Sequence, residues 1–103
     1  MSNWSGRYSY NNTDVNRYAP SNGGVYRLIH NKNEKFYPFY IGQSNDLKRR
    51  LLEHLSSSEP DVCIKRHLKD YTCYFRFVEI ASQSERDRVE RQQIEEYNPV
   101  CNG

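Results

Sequence analysis

Two aromatic–glycine tripeptides constrain the fold of this chain more than any other feature. Gly24-Val25-Tyr26 and Tyr40-Ile41-Gly42 begin sixteen residues apart. The first opens a stretch in which side chains alternate with a period of two, as they do along a β-strand. The second closes a similar stretch from about Phe36, and polar residues 31–34 between them are typical of a turn. The pattern therefore predicts two paired strands, each carrying a phenol.

The rest of the chain predicts two helices, a third strand and a last helix. Pro38 cannot donate a ladder hydrogen bond, so the second strand should lie at a sheet edge or carry a bulge, and Gly42 should end it. The order ββααβα predicts an α+β domain with a small three-stranded antiparallel sheet flanked by helices. For residues 1–22 the sequence predicts an irregular N-terminal arm, which is followed by a domain over residues 23–103. The further elements are expected over 45–56, 61–70, 73–80 and from Ser82 or Ser84 to Tyr97.

The first predicted helix, capped by Asn45 or Asp46, carries two neighbouring columns of side chains. Its leucines recur every four residues and form the column that should be buried. Arg50 and His54 form the column beside it, which places a guanidinium and an imidazole at the rim of the core. The leucines are Leu47, Leu51 and Leu55.

Glu90 is the one acidic residue expected on the inward face of the last helix, where it accompanies Val89 and Ile94. A carboxylate in that position must be desolvated, paired or bound to a metal. Taken alone, an ion pair with Arg86 or Arg50 is as consistent with the residues as a metal ion is.

The composition indicates a small core, and the charges are distributed unevenly along the chain. The chain has 103 residues, 36% of them hydrophobic, with a mean hydropathy of −1.01, and nine tyrosines supply much of the apolar area. Residues 24–50 hold six lysines and arginines against two acids, whereas residues 82–103 hold five carboxylates against three arginines. A basic surface beside an acidic pocket suits a polyanion held over a metal, although an ordinary mixture of charges explains it equally well.

Composition also bears on the location of the protein and on the state of its cysteines. No apolar run is long enough to cross a membrane, and the N-terminus lacks an apolar signal core, so we expect a cytoplasmic protein. Cys63, Cys73 and Cys101 are an odd number at spacings that match no zinc motif. We expect three reduced thiols, at least one of them packed as a small apolar side chain.

Together, these residues in this order resemble the GIY-YIG nuclease family. Val25 stands where the first signature commonly varies, and the second signature is matched in full. The resemblance covers about residues 23–102, and its spacing assigns the family's functional positions to Arg50, His54, Glu90 and Asn102. One departure concerns the phage-intron homing members, which carry a second histidine near the position of Asp61.

The resemblance implies a divalent-metal-dependent endonuclease that hydrolyses phosphodiester bonds, with DNA as the expected substrate. Glu90 would hold one Mg²⁺ or Mn²⁺, and Arg50 would neutralise charge on phosphorus. Tyr26 would orient or deprotonate the attacking water, with Tyr40 or His54 relaying the proton. Gly24, Gly42 and Asn102 would support the site. Candidate contacts with the nucleic acid are Gln43, Ser44, Lys48, Arg49, Lys65, Arg66 and Lys69.

Two alternatives stay open at the level of sequence. The scaffold could bind nucleic acid without cleaving it, or the nuclease could act on RNA or single strands. A domain of this size offers one site and should nick one strand. Cutting both strands would then need a homodimer, sequential events or a tethered partner.

Overall fold

One antiparallel sheet organises the chain, with helices on both of its faces. The computed structural model describes residues 3–103, so Met1 and Ser2, the first two residues of the predicted arm, lie outside the described residues. The predicted α+β class is confirmed. The elements are β1 Tyr8–Ser9, α1 Asn12–Tyr18, β2 Gly24–Lys32, β3 Lys35–Ser44, α2 Leu47–Leu55, α3 Val62–Asp70, β4 Thr72–Glu79 and α4 Gln83–Tyr97, followed by a 3₁₀ turn, Val100–Asn102, called here the C-terminal turn.

The strands lie in the order β1-β4-β2-β3, and every pairing is antiparallel. β2 lies between β4 and β3, where Tyr26 pairs with Gly42 on one side and with Phe77 on the other. The three strands that the sequence predicted are present. The fourth, β1, is only two residues long and joins the outer edge of β4.

The hairpin between β2 and β3 follows from its turn residues. Asn33 and Glu34 both adopt positive φ, 55° and 65°, as a two-residue hairpin turn requires. β3 is an edge strand, and its register shifts opposite Leu28 and Ile29, beside Pro38. Both outcomes predicted from this proline are therefore confirmed. β3 continues to Ser44, two residues beyond the predicted end at Gly42, because its pairing with β2 extends that far.

The N-terminal arm is more regular than the sequence indicated. It contains β1 and α1, and Asn11 caps α1 by accepting a hydrogen bond from the amide of Asp14 at 2.7 Å. Val15 is fully buried, and the hydroxyl of Tyr10 donates to the carbonyl of Leu51 at 2.7 Å. These elements are too short to be stable alone, so contacts with α2 and β4 stabilise them.

The two faces of the sheet bury different clusters. Leu28 and Phe75 face α1, α2 and α3 in the main core, whereas Val25, Ile41 and Val78 pack against α4. Asp46, Asp61 and Ser82 cap α2, α3 and α4 through their side-chain oxygens. Within residues 3–103, no helix combines the length and apolar character needed to cross a membrane.

The cysteines differ from expectation. Cys63 at the start of α3 and Cys101 in the C-terminal turn form a disulfide, with their Cα atoms 5.5 Å apart. The expectation of three free thiols is therefore wrong, because the fold brings together two residues 38 positions apart. Cys73 alone is free, and its burial raises the pKa of the thiol to about 11.

Candidate active site

A buried chain of hydrogen bonds links β2 to the loop after α2. The Tyr26 hydroxyl lies 2.7 Å from His54 Nε2, and His54 Nδ1 lies 3.1 Å from Glu59 Oε2. All three residues are at most 5% exposed. Because a carboxylate only accepts, Nδ1 carries the hydrogen and donates to Glu59, which leaves Nε2 to accept from the phenol. The arrangement orients a neutral imidazole as a proton acceptor.

Glu59 is a member of this network that the sequence analysis did not identify. It lies in the loop between α2 and α3, where its other oxygen accepts from the amide of Asp61 at 3.1 Å and its own amide donates to the carbonyl of Ser56 at 3.1 Å. The available signal was an acidic residue five positions after His54 and just before a helix cap. That signal does not say which way a loop side chain points.

Burial controls the protonation of the pair. Desolvation raises the pKa of Tyr26 well above its usual value, Tyr40 adds to the rise, and the charge of Arg50 opposes it. Desolvation also lowers the pKa of His54, and Arg50 lowers it further, whereas Glu59 raises it. At neutral pH the phenol therefore keeps its proton and the imidazole is uncharged. The charge of Arg50 lowers the pKa of this phenol but does not outweigh desolvation.

Tyr40 lies close to side chains from both α2 and α4. Its ring centroid is 6.2 Å from that of Tyr26 and 5.5 Å from that of His54. Desolvation raises the pKa of Tyr40, the charge of Arg50 lowers it, and the charge of Glu90 raises it. Unlike Tyr26, Tyr40 is only half-buried. This half-buried phenol is therefore close enough to the predicted phosphate clamp and the predicted metal ligand to be affected by the charge of both.

Arg50 lies near both phenols, and its side chain is partly exposed to solvent. Its side chain is 36% exposed and contacts Glu53 Oε1 at 3.1 Å. Desolvation alone would lower the pKa of Arg50, but Tyr26, Glu53 and other neighbours outweigh it and raise the pKa. Exposed ion pairs are worth little, about 0–1 kcal/mol. The guanidinium is therefore charged and free to exchange Glu53 for a phosphate.

Glu90 is half-buried and shares a hydrogen-bond donor with a second carboxylate. Gln43 Nε2 lies 3.1 Å from Glu90 Oε1 and 2.5 Å from Asp87 Oδ1. Carboxylate oxygens on one helix face, one turn apart, suit a hard cation such as Mg²⁺, which usually takes one or two protein carboxylates and fills its other positions with water and phosphate. The donor set therefore fits the predicted ion.

The ion-pair alternative for Glu90 finds no support. Arg86 is buried and donates to the carbonyls of Ile80 and Ala81 at 2.9 and 2.8 Å, while Arg50 pairs with Glu53. Among the described residues, no cation lies within salt-bridge distance of Glu90.

The predicted supporting residues hold the backbone around Tyr40 and Tyr26. Asn102 accepts from the amide of Ile41 and donates to its carbonyl, both at 2.8 Å. A Cβ on Gly42 would lie 2.5 Å from Tyr26 Cζ, and one on Gly24 would meet Leu47 at 2.7 Å as well as the backbone of β4. Glycine at these positions lets strands, phenol and helix approach closely.

Some of the residues predicted to contact nucleic acid already bond to other residues of the chain, and others are exposed. Gln43 is bound by α4, and the Ser44 hydroxyl is bonded to Asp46. Arg49 contacts Asn45 and Glu53, and Lys48 is half-buried. Lys65, Arg66 and Lys69 are exposed on α3, where Lys65 Nζ donates to the carbonyl of Ser57 at 3.3 Å.

Comparisons with known proteins concern the family and the fold of the chain. The model of the GIY-YIG catalytic domain matches residues 22–103. The N-terminal endonuclease domain of UvrC from Thermotoga maritima, bound to magnesium as its catalytic divalent cation, is 24% identical, with 87% of this chain and 97% of that chain covered and a TM-score of 0.68. A point mutant of that domain bound to its catalytic divalent cation is 23% identical, with coverage of 85% and 93% and a TM-score of 0.66. No curated protein matches the chain. Identities this low show a shared fold, whereas the match to the family model spans most of the sequence, and the chain therefore belongs to the family defined by the GIY-YIG catalytic domain.

Proposed function

We propose that this protein is a divalent-metal-dependent endonuclease that hydrolyses phosphodiester bonds in DNA. The observation that carries the proposal is the position of Tyr40, a half-buried phenol whose ring lies 5.5 Å from that of His54 and 6.2 Å from that of Tyr26. It is also close enough to Arg50 and Glu90 for their charges to shift its pKa. A cation-binding acid and an anion-binding guanidinium near one half-buried phenol suit a phosphate and an attacking water.

Glu90 would hold one Mg²⁺ or Mn²⁺, with Asp87 close by on the same helix. Such an ion, when bound, supplies positive charge to a phosphate oxygen and makes a bound water more acidic. Gln43 holds both carboxylates through its amide, so their oxygens keep a fixed direction.

The two phenols take different roles because their exposure differs. Tyr26 is fully buried, whereas Tyr40 is only half-buried. We therefore assign Tyr40 to orient the attacking water, and the pair of Tyr26 and His54 to accept the proton. As the Tyr26 oxygen takes up that proton, its own hydroxyl proton passes to His54 Nε2, 2.7 Å away. The negative charge of Glu59 then stabilises the imidazolium that forms. This revises the expectation that Tyr26 itself contacts the water.

Arg50 would bind the phosphate and neutralise charge as it builds on phosphorus. Its raised pKa keeps it protonated throughout the working pH range. Asn102 acts through the backbone of Ile41, which lies between the phenol of Tyr40 and the glycine that makes room for Tyr26.

The test is cleavage by the purified protein in Mg²⁺, Mn²⁺ or EDTA. Supercoiled, linear duplex, branched and single-stranded DNA and RNA should be compared, and we expect metal-dependent nicking of duplex or branched DNA. Glu90→Ala and Arg50→Ala should abolish cleavage while DNA binding persists. Glu96→Ala on the exposed face of α4 and Arg17→Ala on α1 are controls that change charge equally and should cleave normally.

Each other outcome contradicts one part of the proposal. Binding without cleavage by the unaltered protein in either metal would identify an inactive binding module. Cleavage of RNA or single strands alone would refute the substrate assignment. Full activity of Arg50→Ala would refute the phosphate clamp.

A further inference from the structure

A second group of metal-binding side chains lies outside the proposed active site. Cys63 and His67 are one turn apart on α3, and Cys101 lies in the C-terminal turn. Their ligand atoms all lie within 4.8 Å of one another, and each residue is half-buried. His67 Nδ1 is 4.0 Å from Cys63 Sγ and 3.7 Å from Cys101 Sγ. Two sulfurs and an imidazole nitrogen thus converge on one point.

The imidazole is held in place by its surroundings. The ring of Phe39 stacks on His67 with centroids 4.7 Å apart and an angle of 13° between the planes. His67 Nδ1 donates to the carbonyl of Cys63 at 2.9 Å. The ring therefore already points Nδ1 toward the two sulfurs, so little rotamer freedom would be lost when a ligand binds.

We propose that, once the Cys63–Cys101 disulfide is reduced, Cys63, Cys101 and His67 bind a thiophilic divalent cation of the Zn²⁺ type. Thiolate and imidazole donors select Zn²⁺, whereas carboxylates such as Glu90 select Mg²⁺. Three protein ligands leave the fourth tetrahedral position to a water. Disulfides persist only under oxidising conditions, and reduced cysteines beside a histidine more often serve a metal.

The chemistry balances in two steps. A dithiol reductant gives two electrons and two protons to the disulfide, which becomes two thiols while the reductant becomes a disulfide. Metal binding then removes the proton of each thiol, and the Nδ1 proton of His67 moves to Nε2, so the Cys63 carbonyl loses its bond. Two protons are released in total.

The bound cation would replace the disulfide as the link between α3 and the C-terminal turn. Cys101 precedes Asn102, whose side chain holds Ile41 in the edge strand β3. Reduction without metal removes the covalent link beside this contact. The same two sulfurs cannot serve disulfide and metal together, so the two links are mutually exclusive.

The experiment titrates Co²⁺ alone into protein that has been reduced with a dithiol and freed of it without oxygen. We expect one equivalent to produce a thiolate-to-cobalt charge-transfer band and the visible bands of a tetrahedral site, and Zn²⁺ to displace it. Oxidised protein should give neither band. In the reduced protein, Zn²⁺ should raise the melting temperature.

Variants separate this site from the proposed nuclease site. Cys63→Ser, Cys101→Ser and His67→Gln should each weaken Co²⁺ binding at least tenfold, since even the hydrogen-bond partners of ligands are worth roughly 10–100-fold. Cys73→Ser and Glu90→Gln are controls and should keep the band. Reduced unaltered protein without a thiolate band would overturn the proposal whether or not DNA is cleaved. A band lost in Cys73→Ser, with circular dichroism unchanged, would also overturn it.

Discussion

Replacing Glu59 by Gln tests the buried proton acceptor most directly. The change keeps the size of the side chain, and its amide oxygen can still accept from His54 Nδ1. It removes the negative charge and also the hydrogen bond from the Asp61 amide, which the NH2 group cannot accept. That charge lies 3.1 Å from Nδ1, and both side chains are at most 2% exposed. Water therefore cannot replace it when the imidazole takes up a proton.

The size of the effect follows from this geometry. Hydrogen bonds to a charged partner contribute about 1.5–3 kcal/mol to stability. Since each 1.36 kcal/mol is a factor of ten in rate, losing that stabilisation of the imidazolium should lower kcat roughly 10- to 150-fold. The binding of DNA should not change, because Glu59 is buried.

The pH profile supplies a second readout with a defined sign. The acceptor must be neutral, so cleavage should be lost as the pH falls through the pKa of His54, which burial and Arg50 hold below its usual 6.5. Glu59 raises this pKa, and its removal lowers it further. The acid limb of kcat/KM should therefore move to lower pH in Glu59→Gln, even though the maximal rate falls.

The assay is single-turnover cleavage from pH 5 to 8 in saturating Mg²⁺, with folding checked by circular dichroism. Glu34→Gln, at the exposed tip of the hairpin, removes the same charge and should behave as the unaltered protein does. A folded Glu59→Gln protein with unchanged rate and profile would refute the proton acceptor. A shift of the acid limb to higher pH would refute the assigned hydrogen bond.

Three further predictions follow from single contacts. Gly42→Ala would put a Cβ 2.5 Å from Tyr26 Cζ and should cost about 1–3 kcal/mol of unfolding free energy in urea, with loss of cleavage. Asn102→Ala removes both hydrogen bonds to Ile41 and should cost about 1–3 kcal/mol in the same measurement, whereas an equal midpoint would refute its role. Burial holds the pKa of His54 in the folded state below its unfolded value of about 6.5. The free energy of unfolding should therefore be highest above pH 6.5 and should fall as the pH drops toward the folded pKa. His54→Asn should remove this pH dependence.

Much of the fold could be predicted from the sequence, because it depends on the chemistry of neighbouring residues. Asp46, Asp61 and Ser82 were identifiable as helix caps or starts because each hydrogen-bonds an amide three residues away. Pro38 predicted its edge strand because the missing donor is a property of that residue alone. Arg50 lies at the rim of the core as predicted, because helical spacing determines which side chains share a face. His54 was also expected at the rim, but it is buried, whereas Leu55 of the predicted buried column is only half-buried.

Packing between distant segments decided the rest. α1 and β1 are too short to show a period, and they are stable only against α2 and β4. Cys63 and Cys101 meet because the C-terminal turn packs near α3, which no spacing rule contains. The sequence shows an acidic residue at position 59, but its burial could not be predicted, since a loop has no periodicity from which the direction of its side chains can be inferred.

The sequence by itself determined the ionisable residues, where the strands and helices after residue 23 begin, and the family signatures. Only the tertiary structure decided that Tyr26 is buried, that Tyr40 is accessible, and that Glu59 completes the acceptor. Backbone hydrogen bonds and side-chain period act within a few residues, so a sequence displays them. Desolvation depends on everything packed around a group, and at this site desolvation sets the pKa values.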